Sequence, residues 1–133
     1  MGIGRRTHWK PVEDATLEIN GHAVRVLEGP YLHAEKPTAA AREFAAELIE
    51  QLDEMRLFAA QEYLGIYNDD WREEGDPVLS QQEFCSRLVE PSIVLYDEIG
   101  AATVYFETSD MFAGHSIEVM VDDGKIAHAS LIG

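Results

Sequence analysis

Six apolar side chains, Phe44, Leu48, Leu52, Met55, Ala59 and Tyr63, recur at steps of three or four residues, which is the spacing of one face of an α-helix. The helix they predict begins after Pro37, with Thr38 as its N-cap, runs through Ala39-Ala40-Ala41 and reaches about Tyr67. Such a helix would be roughly 40 Å long, more than a small domain is wide, so a break near Gly65 or a protruding end is expected. Its apolar stripe needs a partner layer, and the last third of the chain supplies one. Residues 92–97, 102–107, 116–121 and 125–132 alternate or are β-branched and aromatic, with turns at Gly100, Ser109-Asp110 and Asp123-Gly124. Short connections of this kind make neighbouring strands antiparallel.

Two further elements complete the pattern. Asn20-Gly21 is the preferred pair for a type I′ turn, and pairing around it sets Leu17 opposite Val24 and Ala15 opposite Val26 on one face. Gly29-Pro30 ends this hairpin. Ser80-Gln81-Gln82-Glu83 is a capping box that opens a short helix with Phe84, Cys85 and Leu88 facing inward and Pro91 as its stop. The fold class is therefore α+β: an N-terminal β-hairpin, one long and one short helix, and a C-terminal antiparallel four-stranded meander packed on the helices. In that meander Asp123-Gly124 sets Val121 against Ile126 and Val119 against His128, and the inward residues before Gly100, Ile93/Leu95 or Val94/Tyr96, stay open.

The chain has 133 residues, enough for one core without disulfides or a structural metal. A single domain over residues 11–133 is expected, preceded by a basic, flexible lead of residues 1–10 that holds Arg5, Arg6 and Lys10. The one cysteine, Cys85, reads as a buried structural thiol, and no apolar run has the length of a membrane span or signal core. A cytoplasmic protein is the expectation.

Charge narrows the partners. There are 25 acidic and 10 basic residues, a formal charge of -15. Residues 35–76 alone hold 12 acids and 4 bases, with Glu43, Glu47, Glu50 and Glu54 sharing the helix side away from the stripe. Nucleic acid and anionic membranes are disfavoured, since both are bound by Lys and Arg neutralising phosphate. A basic protein is the partner such a surface fits.

The segment from Phe84 to Gly133 carries a resemblance. Its strand Ser92-Ile93-Val94-Leu95-Tyr96, its Tyr105-Phe106 pair, the run Met111-Phe112-Ala113-Gly114-His115-Ser116-Ile117-Glu118-Val119 and the terminal Ala129-Ser130-Leu131-Ile132-Gly133 resemble a family of small bacterial domains of unknown function with an F-x-G-H-x-I-x-V signature. Tyr67-Asn68 and Trp71 share in it, and the similarity covers residues 40–133. It implies an α+β fold and a bacterial, cytoplasmic setting, and it supplies no catalytic residues.

Two candidate sites remain. His115, with Asp110 or Glu118 nearby, has the chemistry of a general base, which makes a small hydrolase or ligand-binding enzyme the alternative function. The other reading of His115 is a loop-fixing hydrogen bond above a core Phe112. Tyr67 and Trp71 beside Asp69, Asp70 and Glu73 form an interaction candidate, since aromatic side chains bury large area at low entropic cost. Their alternative role is a cap over the open end of the sheet. No metal or cofactor is expected: the histidines at 8, 22, 33, 115 and 128 show no zinc spacing, and no phosphate loop or nucleophile elbow is present. A sheet face with two of Tyr96, Tyr105 and Val94 offers a route to a homodimer. The leading expectation is a non-enzymatic acidic binding or regulatory domain, for example an immunity protein.

Overall fold

A computed structural model describes residues 15–19, 22–28, 39–96 and 100–133. The Asn20-Gly21 turn, the Gly29-Pro30 stop, the Thr38 cap, the basic lead and residue 97 lie outside them. In chain order the elements are β1 (Ala15–Ile19), β2 (His22–Glu28), α1 (Ala39–Glu50), α2 (Leu52–Ile66), a π-helix (Tyr67–Trp71), α3 (Gln81–Ser86), β3 (Val89–Leu95), β4 (Ala102–Glu107), β5 (Ser116–Asp122) and β6 (Lys125–Ile132). The protein is α+β, with the helices followed by four antiparallel strands, β3 to β6. β1 and β2 pair antiparallel, with Leu17 beside Val24 and Ala15 beside Val26. β2 then runs parallel to β3, which joins all six strands into one sheet in sequence order. A parallel pair needs a long crossover, and the helices lie within it.

The helical layer packs on one face of this sheet, α1 against β3 and α2 against β5 and β6. The apolar stripe is its contact: Phe44, Leu48, Leu52, Met55 and Ala59 are buried, and Tyr63 packs at the margin of the core. From the sheet, Ile93, Leu95, Ala102, Val104, Phe106, Ile117, Val119, Val121 and Ala129 meet them. This assigns Ile93 and Leu95 to the inside and leaves Val94 and Tyr96 on the outer face.

The helix breaks at Gln51, not near Gly65. Gln51 leaves helical geometry (φ -99, ψ 6), its N–H donates to the Leu48 carbonyl, and its own carbonyl receives the N–H of Met55. This tightened turn divides the expected rod into two segments that each bury a face. Gly65 stays inside α2.

Two strand details differ from the sequence pattern. α3 is opened by the expected capping box, with Ser80 Oγ accepting from Glu83 N (3.1 Å) and the Glu83 carboxylate accepting from Ser80 N (2.8 Å). It ends at Ser86, well before Pro91. Pro91 instead lies within β3, in the irregular stretch between the Val89↔Glu107 and Ser92↔Tyr105 pairs, where a bulge removes the need for a ladder donor. In the last hairpin Val121 pairs with Ile126, but the next pair is Met120↔His128, so β6 carries one extra residue there. The bulge turns His128 to the exposed face and brings Ala129, 2% exposed, against Val119. The expected pairing of Val119 with His128 is thereby corrected.

Candidate functional site

The connection between β4 and β5 is longer than a tight turn at Ser109-Asp110. It spans residues 108–115 and is tied at both ends: Thr108, 3% exposed, donates its hydroxyl to the His115 carbonyl at 2.6 Å, and the His115 N–H donates to the Phe112 carbonyl at 3.0 Å. Four of its residues have positive φ, Ser109 (48), Asp110 (67), Ala113 (52) and Gly114 (88). Only the last is free of a Cβ penalty, so the loop holds Ser109, Asp110 and Ala113 in a conformation that other contacts must stabilise.

Phe112 supplies those contacts. It is fully buried and meets four aromatic rings edge to face: Tyr63 at 6.3 Å, Tyr67 at 5.7 Å, Trp71 at 5.4 Å and Phe84 at 6.2 Å. His115 joins the cluster through Trp71, with ring centroids 5.8 Å apart. The Gly133 backbone also lies against it, so close that a Cβ at position 133 would collide with the imidazole. Asp110 is exposed, and neither it nor Glu118 hydrogen-bonds His115. The structure thus places His115 against the aromatic cluster and does not join it to Asp110.

The interaction candidates divide in a similar way. Tyr67 is 5% exposed and belongs to the core, whereas Trp71 is 36% exposed, and Asp69, Asp70, Glu73 and Glu74 face solvent. The π-helix separates them. Its closing bond runs from Arg72 N to the Tyr67 carbonyl (2.7 Å), five residues back. This wider turn keeps Tyr67 under Phe112 while Trp71 leans on the rim of the same ring. Asn68 then fixes the following loop, donating from Nδ2 to the Leu79 carbonyl (3.1 Å) and accepting Leu79 N–H at Oδ1 (3.0 Å). Arg72 closes it by donating to the carbonyls of Asn68 (3.3 Å) and Asp76 (2.6 Å). The one cation of this acidic segment is therefore bound to backbone oxygens, and its neighbours' carboxylates stay unneutralised.

Among the described residues the one ion pair is Arg56 to Asp53 at 3.0 Å. Arg56 also donates to the Leu88 carbonyl (2.9 Å) and lies over the Phe106 ring, 5.1 Å from its centroid. Cys85 lines an open cleft of about 260 Å³ with Asp53, Arg56, Leu57, Gln81 and Gln82. Burial pushes its thiol pKa up, with Arg56 opposing, so it is held as the neutral thiol. Among the described residues no group of three His, Cys, Asp or Glu side chains could hold a metal ion, and no helix is long and apolar enough to cross a membrane.

Sequence reasoning did not anticipate the π-helix, the Thr108 clamp or the Asn68 and Arg72 bonds. None has a local pattern, because each depends on backbone atoms brought close by the fold. No curated protein and no solved structure matches the chain. The model of one family, described as an uncharacterised protein conserved in bacteria (DUF2262), matches residues 18–131, from within β1 almost to the end of β6, and the chain belongs to that family.

Proposed function

We propose that this bacterial domain is a non-enzymatic binding or regulatory protein that acts in the cytoplasm by docking its acidic surface onto a basic partner protein, in the manner of an immunity protein. The observation that supports this reading is that, among the described residues, every carboxylate but that of Asp53 lacks an ion-pair partner. The chain carries -15, yet among the described residues a single ion pair is present, and Glu43, Glu47, Glu50, Glu54, Asp69, Asp70, Glu73 and Glu74 are all exposed. Adjacent like charges on a helix cost a few tenths of a kcal/mol per pair, and a cationic partner offsets that cost on binding.

The experiment is recovery of partners from the native cell by the tagged protein at low and high salt, compared with a variant in which Glu43, Glu47, Asp69 and Asp70 become the corresponding amides. A basic protein recovered at low salt, and lost both at high salt and with the variant, supports the reading. No partner at either salt ends it.

A further inference from the structure

Three of the four large apolar side chains exposed among the described residues, Ile66 (41%), Trp71 (36%) and Val78 (62%), fall within one thirteen-residue stretch. The same stretch, residues 66–78, holds Asp69, Asp70, Glu73, Glu74 and Asp76 and one cation, Arg72, which is bound to backbone carbonyls. Ile66 and Trp71 lie about one π-turn apart. The paired bonds between Asn68 and the Leu79 backbone return the chain next to Val78 to the π-helix that carries Trp71. The long helix also has an acidic row, but Glu43, Glu47 and Glu50 have no exposed aromatic among them.

We infer that residues 66–78 form the docking surface, and that its occupant is an arginine-bearing segment of a basic protein whose guanidinium stacks on Trp71 among the carboxylates of Asp69, Asp70 and Glu73. This inference rests on the acidic-docking reading above and names the place and the chemistry of recognition. Charge complementarity selects a cation, and the indole selects a flat one: a guanidinium stacks on an aromatic ring and meets carboxylates two bonds at a time, whereas an ammonium is a compact, strongly hydrated charge. The surface is held in shape before any partner arrives, by Arg72 and Asn68 within the corner and by Phe112 beneath Trp71. Pre-ordered groups lose less entropy on binding.

The test is a titration of the full chain, followed by backbone and indole N–H resonances, with a Gly-Arg repeat peptide, its lysine analogue and its neutral citrulline analogue. The two indole signals are distinguished by Trp9→Phe. The expected result is movement of the Trp71 indole and of amides in residues 66–78 with the arginine peptide, binding severalfold weaker with lysine, and no movement with citrulline. Asp69→Asn with Asp70→Asn, both exposed, is expected to weaken the arginine peptide by about tenfold with the melting temperature unchanged. Val78→Ser, at an exposed side chain of the same stretch, is expected to give a smaller loss. Equal response to arginine and citrulline overturns the inference. So does binding centred on residues 43–54 and unaffected by the Asp69 and Asp70 changes, although acidic docking then survives. No movement of any resonance at about 1 mM peptide overturns both.

Discussion

The hydroxyl of Tyr63, on α2, accepts a hydrogen bond from the backbone N–H of Leu131, on β6, at 3.0 Å across 68 residues of sequence. β6 is an edge strand, so this donor has no neighbouring strand to meet. The helix supplies the acceptor from beneath. Tyr63→Phe removes it while leaving the ring in place and is expected to cost about 1 kcal/mol in urea unfolding. Hydrogen exchange at Leu131 should quicken in the variant, and an unchanged rate would show that water replaces the phenol.

Phe112 is the residue on which the aromatic end of the core depends. Phe112→Ala leaves a cavity facing Tyr63, Tyr67, Trp71 and Phe84 and is expected to cost about 3–5 kcal/mol. The near-ultraviolet circular dichroism of Trp71 should collapse with it. A loss under about 1 kcal/mol would mean that the cluster is not packed as described.

Two glycines should respond with opposite signs. A Cβ at Gly100 would lie 2.9 Å from the Asp123 Cα, and the Gly100 carbonyl already accepts the Gly124 N–H at 3.0 Å, so the loop before β4 is pressed on the turn between β5 and β6. Gly100→Ala is expected to destabilise by about 1–3 kcal/mol. Gly65, inside α2, has nothing within 4 Å of its would-be Cβ, and Gly65→Ala should stabilise by about 0.5–1 kcal/mol. Thermal melts of both variants check the pair.

The capping box makes a pH prediction. Hydrogen bonds from the Ser80 backbone and side chain hold the Glu83 carboxyl below its ordinary value. A carboxyl lowered in the folded state stabilises the fold above its unfolded pKa, and that contribution is lost as pH falls through the lowered value. Ser80→Ala should cost about 1 kcal/mol at neutral pH through loss of the cap. The difference between variant and wild type should narrow as acid protonates Glu83, and a difference independent of pH would separate the cap from the carboxylate.

At the outer face Tyr105 titrates high. Its phenol is pushed up to about 12, first by burial, then by the Tyr96 phenol and a hydrogen bond to it, and then by Glu118. Because the folded-state value is raised, the stabilising contribution of the neutral phenol is complete below the ordinary tyrosine pKa of about 10 and is lost as pH rises through about 12. Ultraviolet titration of wild type against Tyr105→Phe should show the late-ionising tyrosine disappear. An unchanged profile would assign the late step elsewhere.

How much of this was legible follows the range of each signal. The helix stripe and the Ser80 box are local, and both stand as their spacing implies. The register of β6 was not readable, because a single extra residue near Ala127 exchanges the faces of His128 and Ala129, and only packing against Val119 selects it. The sequence pointed to a break near Gly65 or a protruding end, and the interruption at Gln51 was not readable because no residue there is a helix breaker. Of the interaction set, Asp69, Asp70 and Glu73 were readable as charge, but whether Tyr67 or Trp71 would be exposed was not.

The sequence by itself determined that helices with one apolar face must pack on antiparallel strands, and that the surface left over would be strongly acidic, because periodicity and charge are properties of composition and order. The tertiary structure decided the rest: that β2 and β3 run side by side in one sheet, that Pro91 and His128 lie at bulges, and that a π-turn buries Tyr67 and lifts Trp71 into solvent beside unpaired carboxylates. Each of these depends on groups distant in sequence competing for the same space and the same hydrogen-bond partners, a competition that no local pattern records.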